Sequence, residues 1–518
     1  MYQCPGCGGN LRFDISTQDL SCMYCNEHFD PYSVTKEYDA VENDRFEVTK
    51  FSCTQCGGEI FTTDNEAAAF CSYCGASSIL TERIINENCP NYIIPFKKTK
   101  EDCKKAYRRK MRKAFFTPRE LRDSKNIDGF RGIYMPFWVY DMVQDGPMSL
   151  KAKRSHRRGD YIITDHYKVT GDMNSSLQVN TYDASKNFYD EISGALAPYD
   201  MKDKKEFTPS MLSGFYAESA NVSEHLYEED SRKFMKKVNG KKIRNQRPLR
   251  KYEMDSNLSG AGNSLPTPYA KKVDRAMFPV WFLSYKKNDR IAYAAINGQT
   301  GKVVADMPVD IKRYIFGSLL LMLPIFGLLN IFMTMKPGLV LSISILLLLM
   351  TLIIYNTELG MIYDKEHNVN DKGINSGRKD NGAKKVKITY SMGKTATILI
   401  LSVFGLIFGG VFLMASPLMF VGIMLAIICI VIGLIKGKYK KLQLKKSGAV
   451  LYISAIVTAV TGFIMFVNPV ADMWYYGGTI GVILTAIIIF IDIIRYYNRI
   501  AMRRLPQFDK MGGDDGAY

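Results

Sequence analysis

Cys4-Pro5-Gly6-Cys7-Gly8 and Cys22-Met23-Tyr24-Cys25-Asn26 are followed by Cys53-Thr54-Gln55-Cys56-Gly57 and Cys71-Ser72-Tyr73-Cys74-Gly75, and these four segments decide how the chain begins to fold. Every pair has Cys-x-x-Cys spacing, the two pairs of a set are 14 residues apart, and the whole pattern repeats after 49. A repeat at a fixed period marks an internal duplication. Two residues between cysteines turn both sulfurs toward one point, and Gly8, Gly57 and Gly75, with Asn26 in the remaining place, offer the left-handed backbone that such a knuckle needs. Cys4, Cys7, Cys22 and Cys25 thus form one set of four thiolates, and Cys53, Cys56, Cys71 and Cys74 form a second. Each set has the spacing of a zinc ribbon and is expected to hold one zinc ion, two in all. Iron in a rubredoxin-like site uses the same four ligands, and spacing does not choose between the metals. A disulfide framework would need an oxidising compartment, which nothing in the sequence indicates. Haem attachment needs His directly after the second cysteine, and His28 lies three positions past Cys25. Sites closed by four cysteines are structural, since no coordination position is left for a substrate.

At 518 residues the chain is long enough for several domains, and its formal charge of +17 favours contact with polyanions, either nucleic acid or an anionic membrane surface. The reading is multidomain: zinc ribbon 1 over residues 1–30, a polar linker over 31–50, zinc ribbon 2 over 51–85, and an α+β domain over 90–310. An α-helical membrane domain of six spans over 311–500 and a cytoplasmic tail over 501–518 complete it. Leu11 to Ile15 and Glu59 to Thr63 read as ribbon strands. Asn91-Tyr92-Ile93-Ile94-Pro95-Phe96 is an extended apolar piece. Thr99 reads as a helix N-cap with Asp102 three positions on, and Thr117-Pro118 ends that helix. One face of it carries Cys103, Ala106, Tyr107, Met111, Ala114 and Phe115. The other carries Lys104, Lys105, Arg108, Arg109, Lys110, Arg112 and Lys113, a solvated face or a phosphate-binding one. Cys89 and Cys103 belong to no pair and read as ordinary thiols.

From 130 to 310 short strands alternate with turns. Met135-Pro136-Phe137-Trp138-Val139-Tyr140 and Phe278-Pro279-Val280-Trp281-Phe282-Leu283 echo one another, which predicts paired elements of one domain with the aromatics in its core. Asn297-Gly298-Gln299-Thr300-Gly301-Lys302 is a hairpin turn and lacks the glycine spacing of a phosphate loop. Residues 228–268, charged and rich in Gly, Ser and Pro, read as a mobile insertion. Lys151, Lys153, Arg154, Arg157 and Arg158 form a second basic cluster.

Six apolar stretches follow, at 314–335, 338–357, 395–415, 417–435, 448–467 and 475–494, each near the ~20 residues that a helix needs to cross a bilayer. Lys and Arg fill the loops between the hairpins and flank the first and last spans. Positive-inside counting therefore predicts both termini in the cytoplasm of a bacterial plasma-membrane protein, where reducing conditions also suit thiolate ligands. Within the spans Asp492 is the prominent ionisable residue, in reach of Arg495, with Asn330 and Pro324 as weaker features of a transport path. Gly393-Lys394-Thr395 lacks the first glycine of a nucleotide loop, where Ile388 stands.

The double ribbon, Ile94-Pro95-Phe96, Pro136-Phe137-Trp138, Leu212-Ser213-Gly214-Phe215-Tyr216-Ala217, Pro279-Val280-Trp281 and the turn at 297–302 together resemble bacterial zinc-ribbon proteins of the transcription-factor-IIB-type class. The resemblance covers residues 1–310. Some members are labelled replication-restart helicases, which implies an ATPase; the phosphate loop is missing here, so only the eight cysteines carry over, as metal ligands. With no paired acid, base or nucleophile motif, the expected role is a non-enzymatic membrane protein whose cytoplasmic head binds a partner protein. A membrane-tethered nucleic-acid binder and a transporter or channel are the alternatives.

Overall fold

Three short antiparallel strands, β1 (Leu11–Phe13), β2 (Leu20–Cys22) and β3 (His28–Phe29), make a small sheet of their own in the computed structural model of the chain. The structure describes residues 2–34, 45–63, 71–76, 81–254, 263–332, 336–366, 368, 370–376 and 447–506. Every other strand joins one thirteen-stranded mixed sheet. In chain order these are β4 (Arg45–Ser52), β5 (Glu59–Thr62), β6 (Thr81–Asn88), β7 (Tyr92–Ile93), β8 (Arg131–Arg158), β9 (Tyr161–Asp183) and β10 (Lys205–Glu206). β11 (Tyr216–Ala217), β12 (Glu253–Met254), β13 (Tyr269–Lys287), β14 (Arg290–Asn297), β15 (Val303–Ala305) and β16 (Arg503–Arg504) complete it.

The two Pro-x-Trp segments meet at its centre. β8 and β13 run antiparallel with Met135 opposite Phe278 and Pro136 opposite Met277. Phe137 stacks on Phe278 with ring centroids 4.8 Å apart. The indole N–H of Trp281 donates to the Lys98 carbonyl at 2.9 Å, and that of Trp138 to the Val222 carbonyl at 3.1 Å. Side chains on a strand alternate between its faces, and here each face has its own core. Ile133, Met135, Phe137, Phe278, Val280 and Phe282 enter the core that contains the second cysteine set. Tyr134, Met277, Trp281 and Leu283 enter the core that contains β1, β2 and Cys4. Burial on both faces accounts for the unbroken apolar run of β13.

Helix α1 (Lys100–Lys113) forms where the sequence predicts it. Thr99 Oγ1 accepts from the Asp102 N–H while the Asp102 carboxylate accepts from the Thr99 N–H, a complete capping box. Cys103, Tyr107 and Met111 are its buried stripe. The 297–302 turn is also as expected: Asn297 N–H donates to the Lys302 carbonyl, and Gly301 sits at φ 76°.

Other expectations are corrected. Residues 45–50, read as linker, begin β4, and the second ribbon is no separate domain, because β5 pairs with β11 and extends the large sheet. The strands read as short include β8 at 28 residues and β9 at 23. Gly146, Pro147 and Gly171 interrupt the apolar alternation of their outer halves, and such residues read as turns. Helix α2 (Asp190–Leu196) precedes α3 (Glu228–Asn245), which occupies much of the supposed insertion 228–268. Ser231, Met235, Asn239 and Ile243 recur at four-residue intervals and are buried on one face of α3. Only two of the four are apolar, and the stripe was masked by its charged surroundings. Residues 255–262 of that stretch lie outside the described residues.

Four apolar helices follow: α4 (Ile311–Phe332), α5 (Pro337–Glu366), α6 (Ser447–Val467) and α7 (Asp472–Ala501). Among the described residues three, over Pro337–Glu358, Val450–Val467 and Asp472–Ala501, are long and apolar enough to cross a membrane. The count of six is not carried by the structure; the expected spans at 395–415 and 417–435 lie outside the described residues. α6 and α7 form a hairpin closed by the Tyr475 hydroxyl donating to Asn468 Oδ1 at 2.6 Å. α5 packs on α7, with the Tyr355 and Tyr496 hydroxyls 3.1 Å apart.

These helices are tied to the sheet at one end. The start of the predicted tail is β16, which pairs with β14, Arg504 opposite Arg290. The Arg290 guanidinium donates to the carbonyls of Met502 and Arg499. Arg503 is buried over the Tyr189 ring, 3.7 Å from its centroid, and reaches Glu191 at 3.2 Å, which Lys365 at the end of α5 also contacts. Burial pushes the Glu191 carboxyl up, but the Lys365 ammonium and Arg503 guanidinium outweigh it and hold it below the ordinary carboxylate range.

Two predictions follow from these contacts. Trypsin should spare Lys236, Lys237, Lys241 and Lys242 in the native chain and cut there in Met235→Asp; prompt native cleavage would show that α3 is not packed. Because the native carboxylate of Glu191 is the depressed one, its contribution is complete above the unfolded value of about 4.3 and fades only as pH falls through the lower native value. Amide exchange at Arg503 and Arg504 should therefore stay slow at about pH 6, and loosening there would contradict the assignment.

Candidate metal centres

All four Cys-x-x-Cys segments fold into the same knuckle. In each, the first cysteine N–H donates to the carbonyl five residues on, and the N–H four residues on donates back to that cysteine's carbonyl. The pairs are Cys4 with Gly9 and Gly8, Cys22 with Glu27 and Asn26, Cys53 with Gly58 and Gly57, and Cys71 with Ala76 and Gly75. The residue after each second cysteine has positive φ: 72° at Gly8, 58° at Asn26, 73° at Gly57 and 69° at Gly75. The left-handed requirement read from the sequence is met at all four places.

The knuckles bring the expected ligands together. In the first set Cys4 and Cys25 Sγ are 3.6 Å apart and Cys7 Sγ is 3.5 Å from both Cys22 and Cys25. In the second, Cys53 to Cys74 and Cys56 to Cys71 are both 3.7 Å. Within each set all four sulfurs lie within 4.8 Å of one another. A tetrahedron with metal–sulfur bonds of about 2.3 Å has sulfur–sulfur edges of about 3.8 Å, whereas a disulfide would be about 2.05 Å. Both groups fit a zinc site, two sites in all. When bound, the ion supplies a compact positive charge that four thiolates can share, and it holds two knuckles as one body.

Within each set the thiols are driven apart, one cysteine being lowered while two of its neighbours, Cys7 and Cys25 or Cys56 and Cys71, are raised. Backbone N–H groups of Cys25 and Tyr24 hold Cys22 down at about 6 against the effect of burial. Hydrogen bonds from Cys56 and Cys71 hold Cys74 below the ordinary cysteine range. Cys103, by contrast, is fully buried and pushed up to about 12, as expected of an inert core thiol. Cys89 and Cys103 join neither cluster.

The two centres differ in their surroundings. Cys7 and Cys25 of the first are exposed, and its second knuckle projects Met23 and Tyr24 at 62% and 75% exposure. This ribbon rests on the 205–215 segment through Ser213 Oγ to the Leu11 carbonyl, Ser210 Oγ to the Pro31 carbonyl and Phe13 N–H to the Ser213 carbonyl. All four cysteines of the second are buried among Phe51, Ile60, Tyr73, Phe282 and Tyr293. The Tyr293 hydroxyl also donates to the Tyr73 carbonyl at 2.9 Å. Sequence spacing located all eight ligands and could not show this asymmetry, because it arises from strands more than 200 residues away.

Cys4→Ser with Cys7→Ser should halve the bound metal and raise hydrogen exchange only within residues 2–34. Cys53→Ser with Cys56→Ser should also halve it but destabilise the whole sheet, since a structural zinc supplies on the order of 10 kcal/mol of folding free energy. Metal analysis with hydrogen exchange distinguishes them, and equally local effects would contradict the embedded placement.

No family model matches the chain, and no solved structure matches it. It is 30% identical over 319 residues to the protein described as "Uncharacterized protein YdjG" from Bacillus subtilis (strain 168), an alignment that covers 60% of this chain and 90% of the relative. With that identity over nearly the whole length of the relative, the chain belongs to the YdjG family.

Proposed function

We propose that the chain is a non-enzymatic membrane protein whose zinc-stapled head binds a partner protein on the cytoplasmic side of a bacterial plasma membrane. The observation that carries this reading is the β8–β9 arm. Its base lies on the side of the apolar helices, since Arg131 of β8 pairs with Phe282 of β13, and Arg290 just beyond β13 holds the end of α7. β13 leaves β8 at Val143 and β12 at Lys153, after which only β9 accompanies it. Up to Lys153 the arm is covered by α3 and β12, with Leu150 packed on Ile243 and Gln144 bonded to Asn239, and the five residues Arg154–Arg158 carry it about 17 Å further at ~3.3 Å each with β9 alone. At the tip Tyr161 and Ile162 are each 76% exposed. A lone two-stranded ribbon is marginal in water, and apolar residues at its end favour burial against another surface. Met23 and Tyr24 of the first ribbon offer a second exposed apolar tip. Lys312, Arg313, Arg499, Arg503 and Arg504 flank the apolar helices on the side of the head, which supports a cytoplasmic placement.

A nucleic-acid-binding head is the second reading. Lys151, Lys153, Arg154, Arg157 and Arg158 follow one strand of the arm, and a two-stranded ribbon fits a major groove. Transport has less support: Asp492 is held by Arg495 of its own helix at 2.8 Å.

A photo-crosslinking residue at Ile162 should yield one discrete protein adduct in cells, and the same residue at Lys237 on α3 should not. Identical patterns from both sites would remove the protein-binding reading. Binding of duplex DNA by the detergent-solubilised full chain, falling steeply between low and moderate salt and lost in Arg154→Gln with Arg157→Gln, would replace it with the second.

A further inference from the structure

Seven cations on α1 read alike in the sequence, and the structure separates them. Lys104 is bound by Glu101 and Asp128, and Lys110 donates to the Val303 carbonyl. Lys105, Arg108, Arg109, Arg112 and Lys113 are exposed and, among the described residues, make neither ion pair nor hydrogen bond. Lys105, Arg108, Arg109 and Arg112 line a cleft of about 520 Å³ together with Arg122 over an apolar floor of Met111 and Ile127. No acidic residue lines it. Arg122 comes from the following turn and is fixed by donating to the Ala114 carbonyl and Thr117 Oγ1, and its buried Nε–H has no partner. Five positive charges on a lining that, among the described residues, includes no carboxylate define a site for an anion, and guanidinium forks match the oxygens of a phosphate.

The surroundings say where that phosphate comes from. Just past Lys113 the chain touches the first turns of α4: Phe116 and Thr117 carbonyls accept from Asp310 N–H at 2.7 Å and Arg313 Nη1 at 3.0 Å. The Phe116 ring lies 4.9 Å from that of Tyr314 and against Gly317, where a Cβ would come within 2.7 Å of it. Beyond these contacts α4 exposes Ile315, Phe316, Leu319 and Leu320, and Phe115 beside the cleft is 74% exposed. Cations next to exposed aromatics at the start of an apolar helix form the pattern of a headgroup layer.

We propose that this cleft binds the phosphate of an anionic phospholipid headgroup. The inference rests on the membrane reading above, and positions the head against the bilayer through α1 as well as through α4.

The test uses the full chain in phosphatidylcholine nanodiscs, titrated with dioctanoyl-phosphatidylglycerol and scored by native mass spectrometry. Arg109→Gln with Arg112→Gln should weaken binding by about twenty-five-fold, at about fivefold per charge removed. Lys236→Gln with Lys237→Gln on α3 should leave it unchanged. Equal binding by the cleft variant and wild type, or equal loss in both variants, would overturn the proposal. So would competition by inorganic phosphate at the lipid's own concentration, or tighter binding of a single-stranded oligonucleotide through the same two arginines. A chain that is soluble without detergent fails the membrane reading itself, whereas one that enters nanodiscs without preferring the anionic lipid fails only this inference.

Discussion

Four thiolates buried in an apolar core are the constraint on which the head depends. Cys53, Cys56, Cys71 and Cys74 are all nearly inaccessible, and ionised groups removed from water are tolerated only when paired or bound to a metal. An ion held by the second centre would therefore be enclosed rather than carried on an appendage. Its knuckles stand in the same core as Phe282 and Tyr293, which would make the cation part of that core. The first centre repeats the cysteine spacing and the backbone hydrogen bonds of its knuckles but rests on the opposite face of the sheet, with two cysteines open to solvent. One duplicated motif thus serves as a keystone in one place and as a cap in the other.

The central sheet explains how both can be accommodated. Alternate residues of β8 and β13 supply two cores, and each ribbon takes one. The stretches around Pro136 and Pro279 pair directly, because continuous apolar runs must be covered on both sides. The apolar helices join this body through a few polar contacts at one end: Arg290 with the carbonyls of α7, Asn498 with the backbone of Val309, and Arg503 between Tyr189 and Glu191.

Local chemistry was legible and long-range geometry was not. The eight ligands, the Thr99 capping box, the turn at 297–302 and the partnership of the two Pro-x-Trp segments could be read because each is fixed by residues a few positions apart or by a repeated pattern. The arm was hidden because Gly146, Pro147 and Gly171 read as turns within its strands, and α3 because half of its buried stripe is Ser and Asn. Arg122 escaped notice as part of the basic cleft because it lies in a different element from the other cations. The linker reading failed at residues 45–50 because the strand there alternates exposed charged or polar side chains with buried ones, and only its partners β5 and β6 reveal it.

The return of the chain to β14 after α7 sets an order of assembly. Arg290 and Met502 are 212 positions apart, so during synthesis the edge of β14 beyond β15 waits, unpaired, while everything between them is made and inserted. Domains emerge and fold from the N-terminus onward, and an open sheet edge invites pairing with foreign strands. β16 is only two residues long, too short to tempt many partners yet enough to close the edge once the last helix arrives. Completion of the head thereby waits on the last apolar helix.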